Sequence, residues 1–526
     1  MRQFFVVCVL IVPMAAAADA ETVTIAFGAE PTQVDPTRTM AGVDQYFMDL
    51  YFERLLHMTP DLERVNWLAD AWAIREEDDK IFIDVTIKQG IKFHDGVELT
   101  SSDFRFAYER QSDPASGVSG NLRYVEDVVV HDDYRFTMPL SQPDGLLEVQ
   151  NLELWAIPKH HYDKVGEQGV QDHPIGTGPW KFVSRKHRTE LVVERFEDYW
   201  NKAAMPGFKR LIIKIIPEDT TRVAAFKTGA VDWIDAVPPA QVQQFQGLPN
   251  TRVATLQAPN NLLLNLNQVD PGSPFRDERV RQAIAYGVDY DAIIKYILFD
   301  QGVRTAQIAP GGLGYDPDLK PYPYDPDKAR ALIKEAGYPA GINIPCYNLT
   351  TPREPYMKEV GDTIFAYLAE VGIRCRVVQL EYGAWITLAR TASRPWMDGL
   401  VSHMWEQGLP GDPTLAWVGH VHTHGDGWGT YSYTSDPELD VMIEQLRAMM
   451  NPGKRAEAIK KVARIKHARM TGGVPTYRPM LTIAWRDTID FRPSPGAYWR
   501  SMRHIGPCPS NRCTGSDHLR LEKTTE

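Results

Sequence analysis

The stretch IKQGIKFHDGVELTSSDFRFAYER, Ile87 to Arg110, reads as the end of a strand, a turn and the start of a helix. Asp95-Gly96 supplies the turn: glycine reaches backbone conformations closed to other residues, and aspartate bonds to nearby backbone. Thr100 stands where a helix N-cap belongs, ahead of Phe104, Ala107 and Tyr108. Just upstream, IFIDVTI (Ile81 to Ile87) alternates apolar and polar side chains with period two, the mark of a half-buried strand. The same grammar continues outward. RLIIKIIP (Arg210 to Pro217) is a β-branched run stopped by proline, and helical patterns cover Pro274 to Asp300, Asp325 to Ala336, Tyr356 to Val371 and Pro437 to Met449. Asp325 before Pro326 reads as an N-cap and a first-turn proline, with Gly337 as the stop. Val280, Ile284 and Val288 make one apolar helix face with Arg279 and Arg281 beside it, a packing surface. Strands alternating with helices predict an α/β fold whose sheets are covered by helices. At 526 residues the chain exceeds what one core organises, so two or more lobes are expected. Without a repeat or a low-complexity linker, short crossings should join them.

The N-terminus, MRQFFVVCVLIVPMAAAADAETV, has Arg2, an apolar run from Phe4 to Met14 and Ala18-Asp19-Ala20 as a cleavage pattern, so residues 1–20 read as a cleaved signal peptide. The run is shorter than the ~20 residues a membrane span needs, and the mature chain is expected to be soluble in an oxidising compartment outside the cytoplasm. Cys8 lacks the small residues that precede a lipid-bearing cysteine. The net charge of -11, with no basic stretch that could follow phosphates, argues against nucleic acid as a partner. Cys508 and Cys513, in PCPSNRC, are the better candidates for a disulfide; Cys346 and Cys375 each lie in a β-like run and read as buried thiols, with pairing as the alternative.

Enzyme signatures are missing. No nucleophile elbow, zinc helix or phosphate-binding loop occurs, and GTGPW (Gly176 to Trp180) reads as a tight turn into the strand KFVS, since proline removes an N–H that a phosphate cradle needs. The acidic run Glu76, Glu77, Asp78 and Asp79 reads as a solvated turn. His420, His422 and His424, with Asp426, would share one face if Val421 to Thr423 were extended, a chelating arrangement; the reading preferred is a glycine-rich loop with ordinary hydrogen bonds, no metal and no cofactor.

Taken in order, AEPTQVDP (Ala29 to Pro36), Ile87 to Arg110, PIGTGPWKF (Pro174 to Phe182), DYWN (Asp198 to Asn201), TGAVDW (Thr228 to Trp233), FRDERVRQAIAYGVDYDAI (Phe275 to Ile293) and YDPDKARALIKEAGY (Tyr324 to Tyr338) resemble the extracytoplasmic solute-binding protein family 5, which includes oligopeptide-, dipeptide- and nickel-binding proteins of ABC importers. The resemblance spans nearly the whole mature chain. It implies a periplasmic binding protein type II-like fold, with two lobes, hinge strands, a cleft and an inserted small α+β domain. On this pattern lobe I is residues 21–57, 173–265 and 480–526, the inserted domain 58–172, and lobe II 266–479. The crossings are expected near Leu262 to Asn267 and Thr476 to Trp485. The implied function is capture of a small solute, a short peptide first, in the periplasm by a monomer that catalyses nothing and delivers to a permease driven by ATPase subunits. A metal chelate or a non-peptide amine is the alternative cargo, and a secreted hydrolase the alternative class.

The family also implies where a ligand would sit. Asp412, in QGLPGDPTLAW, matches the aspartate that holds a peptide's ammonium group, and Arg353, in TTPREPYMKEV, falls where dipeptide binders pair an arginine with the ligand carboxylate, although its spacing departs from theirs. A guanidinium suits that bidentate task. Glu30 and Thr32 lie in the segment that borders the cleft in relatives, and Trp405 and Trp417 flank Asp412 as candidate stacking walls.

Overall fold

Three sheets organise the chain in the computed structural model, which describes residues 21–39, 42–59, 63–114, 116, 118–147, 151–258, 261–308, 310, 312–349, 356–381, 384–385, 399–404, 411–423, 434–493, 502–503 and 505–508. Among the described residues the largest sheet has eight strands. Its order is Thr251–Gln257, Tyr477–Arg486, Trp233–Ile234, Thr22–Phe27, Arg210–Ile215, Glu190–Arg195 and Trp180–Lys186, with Gly302–Arg304 added on Tyr477–Arg486. Thr22–Phe27 is parallel to both neighbours, so the β-branched run RLIIKI, which ends where Pro217 follows, is an interior strand, as its composition predicts.

IFIDVTI lies in a four-stranded antiparallel sheet, in the order Ala69–Glu77, Lys80–Ile87, Arg135–Leu140, Val129–Asp132. Its alternation is borne out: Ile81, Ile83, Val85 and Ile87 are buried while Phe82, Asp84 and Thr86 are half-exposed. The acidic run supplies the hairpin turn, where Asp78 and Asp79 have φ of 50° and 59°. Helix Ser101–Gln111 starts at Thr100 through a capping box in which the Thr100 N–H donates to Asp103 Oδ2 at 2.9 Å. One apolar core runs through this sheet and the largest one, joining Ile83, Phe104 and Phe136 to Ile25, Trp180 and Ile213. GTGPW ties the two together. A Cβ on Gly176 would stand 2.0 Å from the Tyr51 carbonyl oxygen, so only glycine fits.

The third sheet has the order Ile373–Leu380, Ile342–Leu349, Leu400–Met404, Leu262–Leu266, Val474–Pro475, the first three parallel. It has its own core around Leu264, Ile284, Ile344 and Ile364. The chain passes from the largest sheet to this one between Gln257 and Leu262, just ahead of the block expected for the outward crossing, and returns at Thr476, the first residue of the block expected for the return. Thr476 clamps the two passages, donating from its N–H and Oγ1 to the Leu262 carbonyl at 3.1 and 2.7 Å. The result is a mixed α/β fold of two lobes.

Two expectations are corrected. The pattern over Pro274 to Asp300 is not one helix but a 3-10 turn and two α-helices, Glu278–Gly287 and Tyr290–Tyr296, because Asp289 caps the second by accepting from the Ala292 N–H at 2.9 Å. Cys346 and Cys375 are not free thiols. They form a disulfide across adjacent parallel strands, where Ile344 opposes Cys375 and the two Cα atoms stand 5.3 Å apart. Cys508 is also disulfide-bonded; Cys513 lies outside the described residues.

Candidate solute-binding cleft

In open α/β sheets, ligands bind beyond the carboxyl ends of parallel strands. In the largest sheet these ends coincide at Phe27, Ile215 and Ile234. In the third sheet they are Leu349 and Leu380, with Leu400–Met404 running alongside. A helix starts just beyond each set: Asp219–Lys227 on the first lobe and Met357–Glu370 on the second. Tyr356 is the residue before Met357–Glu370, and burial first and the Asp219 charge second raise its phenol. Tyr356 takes φ of 60°, and Phe299 and Asp300, at 50° and 61°, share this left-handed conformation. The rings of Phe299 and Tyr356 lie 6.2 Å apart. Strained backbone of this kind, held by its surroundings, collects at ligand clefts.

Arg222 and Asp235, both about 3% exposed, fix the first lobe's edge with an ion pair at 3.1 Å. Asp235 also accepts from the Gly28 N–H at 3.3 Å, and Arg222 donates to the Ile216 carbonyl at 2.8 Å, so one pair staples the ends of all three parallel strands. Sequence reading missed both. The local signal was an arginine in the first turn of a helix, which usually faces solvent.

The residues singled out from the sequence divide as follows. Glu30 turns from the cleft toward the hairpin Trp180–Arg195: its carboxylate meets His187 Nδ1 at 2.9 Å, Arg185 at 3.4 Å and the Arg188 N–H at 2.9 Å. Thr32 donates from its N–H and Oγ1 to Asp44 at 2.8 and 3.2 Å. Burial raises the pKa of Asp44. Asp412 precedes helix Thr414–His420 and accepts from the Thr414 N–H at 2.9 Å; it is 4% exposed, and Arg455 reaches its Oδ2 at 2.7 Å. Trp417 is 2% exposed, packed with Leu439, Ile443 and Ile459 in an apolar cluster of the helices. Arg353 and Trp405 lie outside the described residues; they follow the carboxyl ends of Ile342–Leu349 and Leu400–Met404.

The extended geometry that would align the three histidines does not form. The chain is helical through His420 and Val421 is αR. His422 is turned to Glu444, 3.1 Å away, and His424 lies outside the described residues. Among the described residues no group of three His, Cys, Asp or Glu side chains is placed to hold a metal ion, and no helix is long and apolar enough to cross a membrane.

Comparison with known proteins converges on one group. The chain is 28% identical, over 376 residues, to the glutathione-binding protein GsiB of Pectobacterium atrosepticum, an alignment covering 70% of this chain and 71% of that protein. In fold it matches the ABC transporter-associated periplasmic binding protein DppA of Helicobacter pylori in complex with the peptide STSA, with TM-score 0.80 and 21% identity, covering 93% of this chain and 98% of DppA. NikZ of Campylobacter jejuni in complex with Ni(L-His) matches with TM-score 0.78 and 19% identity, covering 92% and 99%. The sequence model of the bacterial extracellular solute-binding proteins, family 5, matches residues 63–417, well over half the chain. With two lobes joined by paired crossings, the chain belongs to this family, the solute-binding components that serve ABC permeases and their ATPase subunits.

Proposed function

We propose that this protein captures short peptides between its lobes and hands them, chemically unchanged, to a membrane permease. The observation that carries the choice of cargo is the alignment with a glutathione-binding protein over 71% of that protein's length, glutathione being a tripeptide. The fold shared with a peptide-bound DppA supports the same reading. Delivery takes place in the periplasm, after removal of residues 1–20, by a monomer.

In this reading Asp412 receives the peptide's ammonium group, Arg353 its carboxylate, and Trp405 lies along its side chains, with Trp417 packed behind in the helical core, while the segment with Glu30 and Thr32 offers main-chain groups. An ammonium about 4 Å from a carboxylate at effective dielectric ~20 gains about 4 kcal/mol before desolvation is subtracted. Because Arg455 already sits on Asp412 Oδ2, the ligand's amine joins a carboxylate that is partly neutralised. The test is a thermal-shift and calorimetric screen of glutathione and di- to pentapeptides, each with a free and an acetylated N-terminus. Free peptides are expected to bind the wild type at least tenfold more tightly, a difference of about 1.4 kcal/mol, and Asp412→Asn to abolish that preference. No binding by any peptide, with stabilisation by a nickel–histidine chelate, would replace peptides by metal chelates as cargo.

A further inference from the structure

Apart from the crossings, the lobes meet a second time. The loop Ser141–Leu147 follows strand Arg135–Leu140 of the four-stranded sheet, and Ser141 is held to it by the Tyr124 carbonyl at 2.9 Å. Leu146 and Leu147 insert in opposite directions. Leu147 enters the core of the first lobe, and Leu146, fully buried, packs on Leu415 of helix Thr414–His420. Between loop and helices runs a chain of charges. Asp144, 0% exposed, stands 3.6 Å from Arg447 at the end of helix Pro437–Ala448, whose guanidinium covers the Tyr124 ring at 4.3 Å. The Gly145 N–H donates to the Arg447 carbonyl at 2.6 Å, while the Gly145 carbonyl accepts from Arg455 of helix Pro452–Arg469. The other terminal nitrogen of Arg455 holds Asp412. A Cβ on Gly145 would lie 2.4 Å from the Met449 carbonyl oxygen, so the backbone itself is the contact surface.

We propose that Ser141–Leu147 is a clasp that docks on these helices when the lobes close and leaves them when the lobes open, with Arg455 as the positioning residue that ties Asp412 to closure. Three features argue for a reversible contact. The groups belong to opposite lobes, Gly145 and Arg455 being separated by 310 residues, with the joining chain passing through the crossings. The apolar part is small: Leu146 on Leu415, and Met450 against the first lobe's core. The rest is one buried ion pair, Asp144 with Arg447, and the backbone of Gly145 bonded to Arg447 and Arg455; a pair whose mutual attraction is offset by lost hydration gives little net stabilisation, so rehydration on opening compensates its loss. Closure therefore completes the partner set of Arg455 and fixes the orientation of the Asp412 carboxylate.

The test needs no cargo. On the full chain stripped of bound solute, hydrogen exchange of fragments spanning Asp144 to Leu147 is compared with that of Tyr477–Arg486, alongside small-angle scattering. The clasp is expected to exchange at least tenfold faster than the crossing strand, and Arg455→Met to speed its exchange a further tenfold and raise the radius of gyration, without altering exchange at Tyr477–Arg486. Arg455→Lys should recover part of the effect. If Arg455→Met does not fold, Leu415→Ala serves with the same expectations. Exchange of the clasp at the rate of the crossing strand, in wild type and variants alike, would show a fixed interface and overturn the proposal, whatever the outcome of the peptide screen.

Discussion

His94 holds two segments together only while it is neutral. Its Nδ1 accepts from the Gly176 N–H at 3.3 Å, and its Nε2–H donates to the Gly178 carbonyl at 2.9 Å, an arrangement with no room for a second proton. Burial pushes its pKa down to about 4 from the ordinary 6.5. As pH falls below 6.5 the unfolded chain takes up the proton while the folded chain refuses it. The stabilisation is therefore complete above 6.5 and is lost progressively toward pH 4, in an amount on the order of 3 kcal/mol. His467, also lowered to about 4 by burial, adds a loss of the same sign. Replacing His94 with alanine should lower stability at pH 7.5 by about 1–3 kcal/mol, since buried groups of Gly176 and Gly178 lose their partner. The same variant should flatten the decline between pH 6.5 and 4. Urea unfolding at a series of pH values checks both, and an unchanged slope would assign the acid sensitivity elsewhere.

At the scale of elements, the disulfide between strands Ile342–Leu349 and Ile373–Leu380 closes a loop with sequence separation 29. Chain-entropy reasoning assigns such a loop about 3–4 kcal/mol of stabilisation. Cys346→Ala with Cys375→Ala should lower the unfolding midpoint of the second lobe while the first is unaffected, because each lobe has its own core; differential scanning calorimetry would resolve this as a shift in one transition. Local grammar was enough for the strand at Ile81 to Ile87, the capped helix after Thr100 and the start at Asp325, since each depends on neighbours in sequence. It was insufficient where distant register decides. Nothing near Cys346 announces Cys375, and the break at Asp289 stays hidden because Val288 keeps the apolar spacing intact. The same rule holds around Asp412, legible as a turn aspartate: its partner Arg455 is distant in sequence, and the Asp144–Arg447 pair arises only through the packing of two lobes.

For the whole molecule, two separate cores joined by crossings that Thr476 clamps suit a family whose members take a solute between two lobes. A ligand that touches both lobes shifts the molecule toward closure by the difference between its affinities for the two forms, and a permease can recognise the closed form. Resemblance in ordered blocks along most of the chain was sufficient to assign this class, because its blocks are scaffold: turns, caps and apolar faces. Cargo was less legible, since it depends on a few side chains between the lobes, and one fold serves many solutes. The central claim is that the solute is a short peptide. The most direct measurement is mass spectrometry of whatever the purified protein releases on denaturation: the account predicts masses and fragment ions of two to five amide-linked amino acids, and a release consisting of a metal chelate or another non-peptide solute would contradict it.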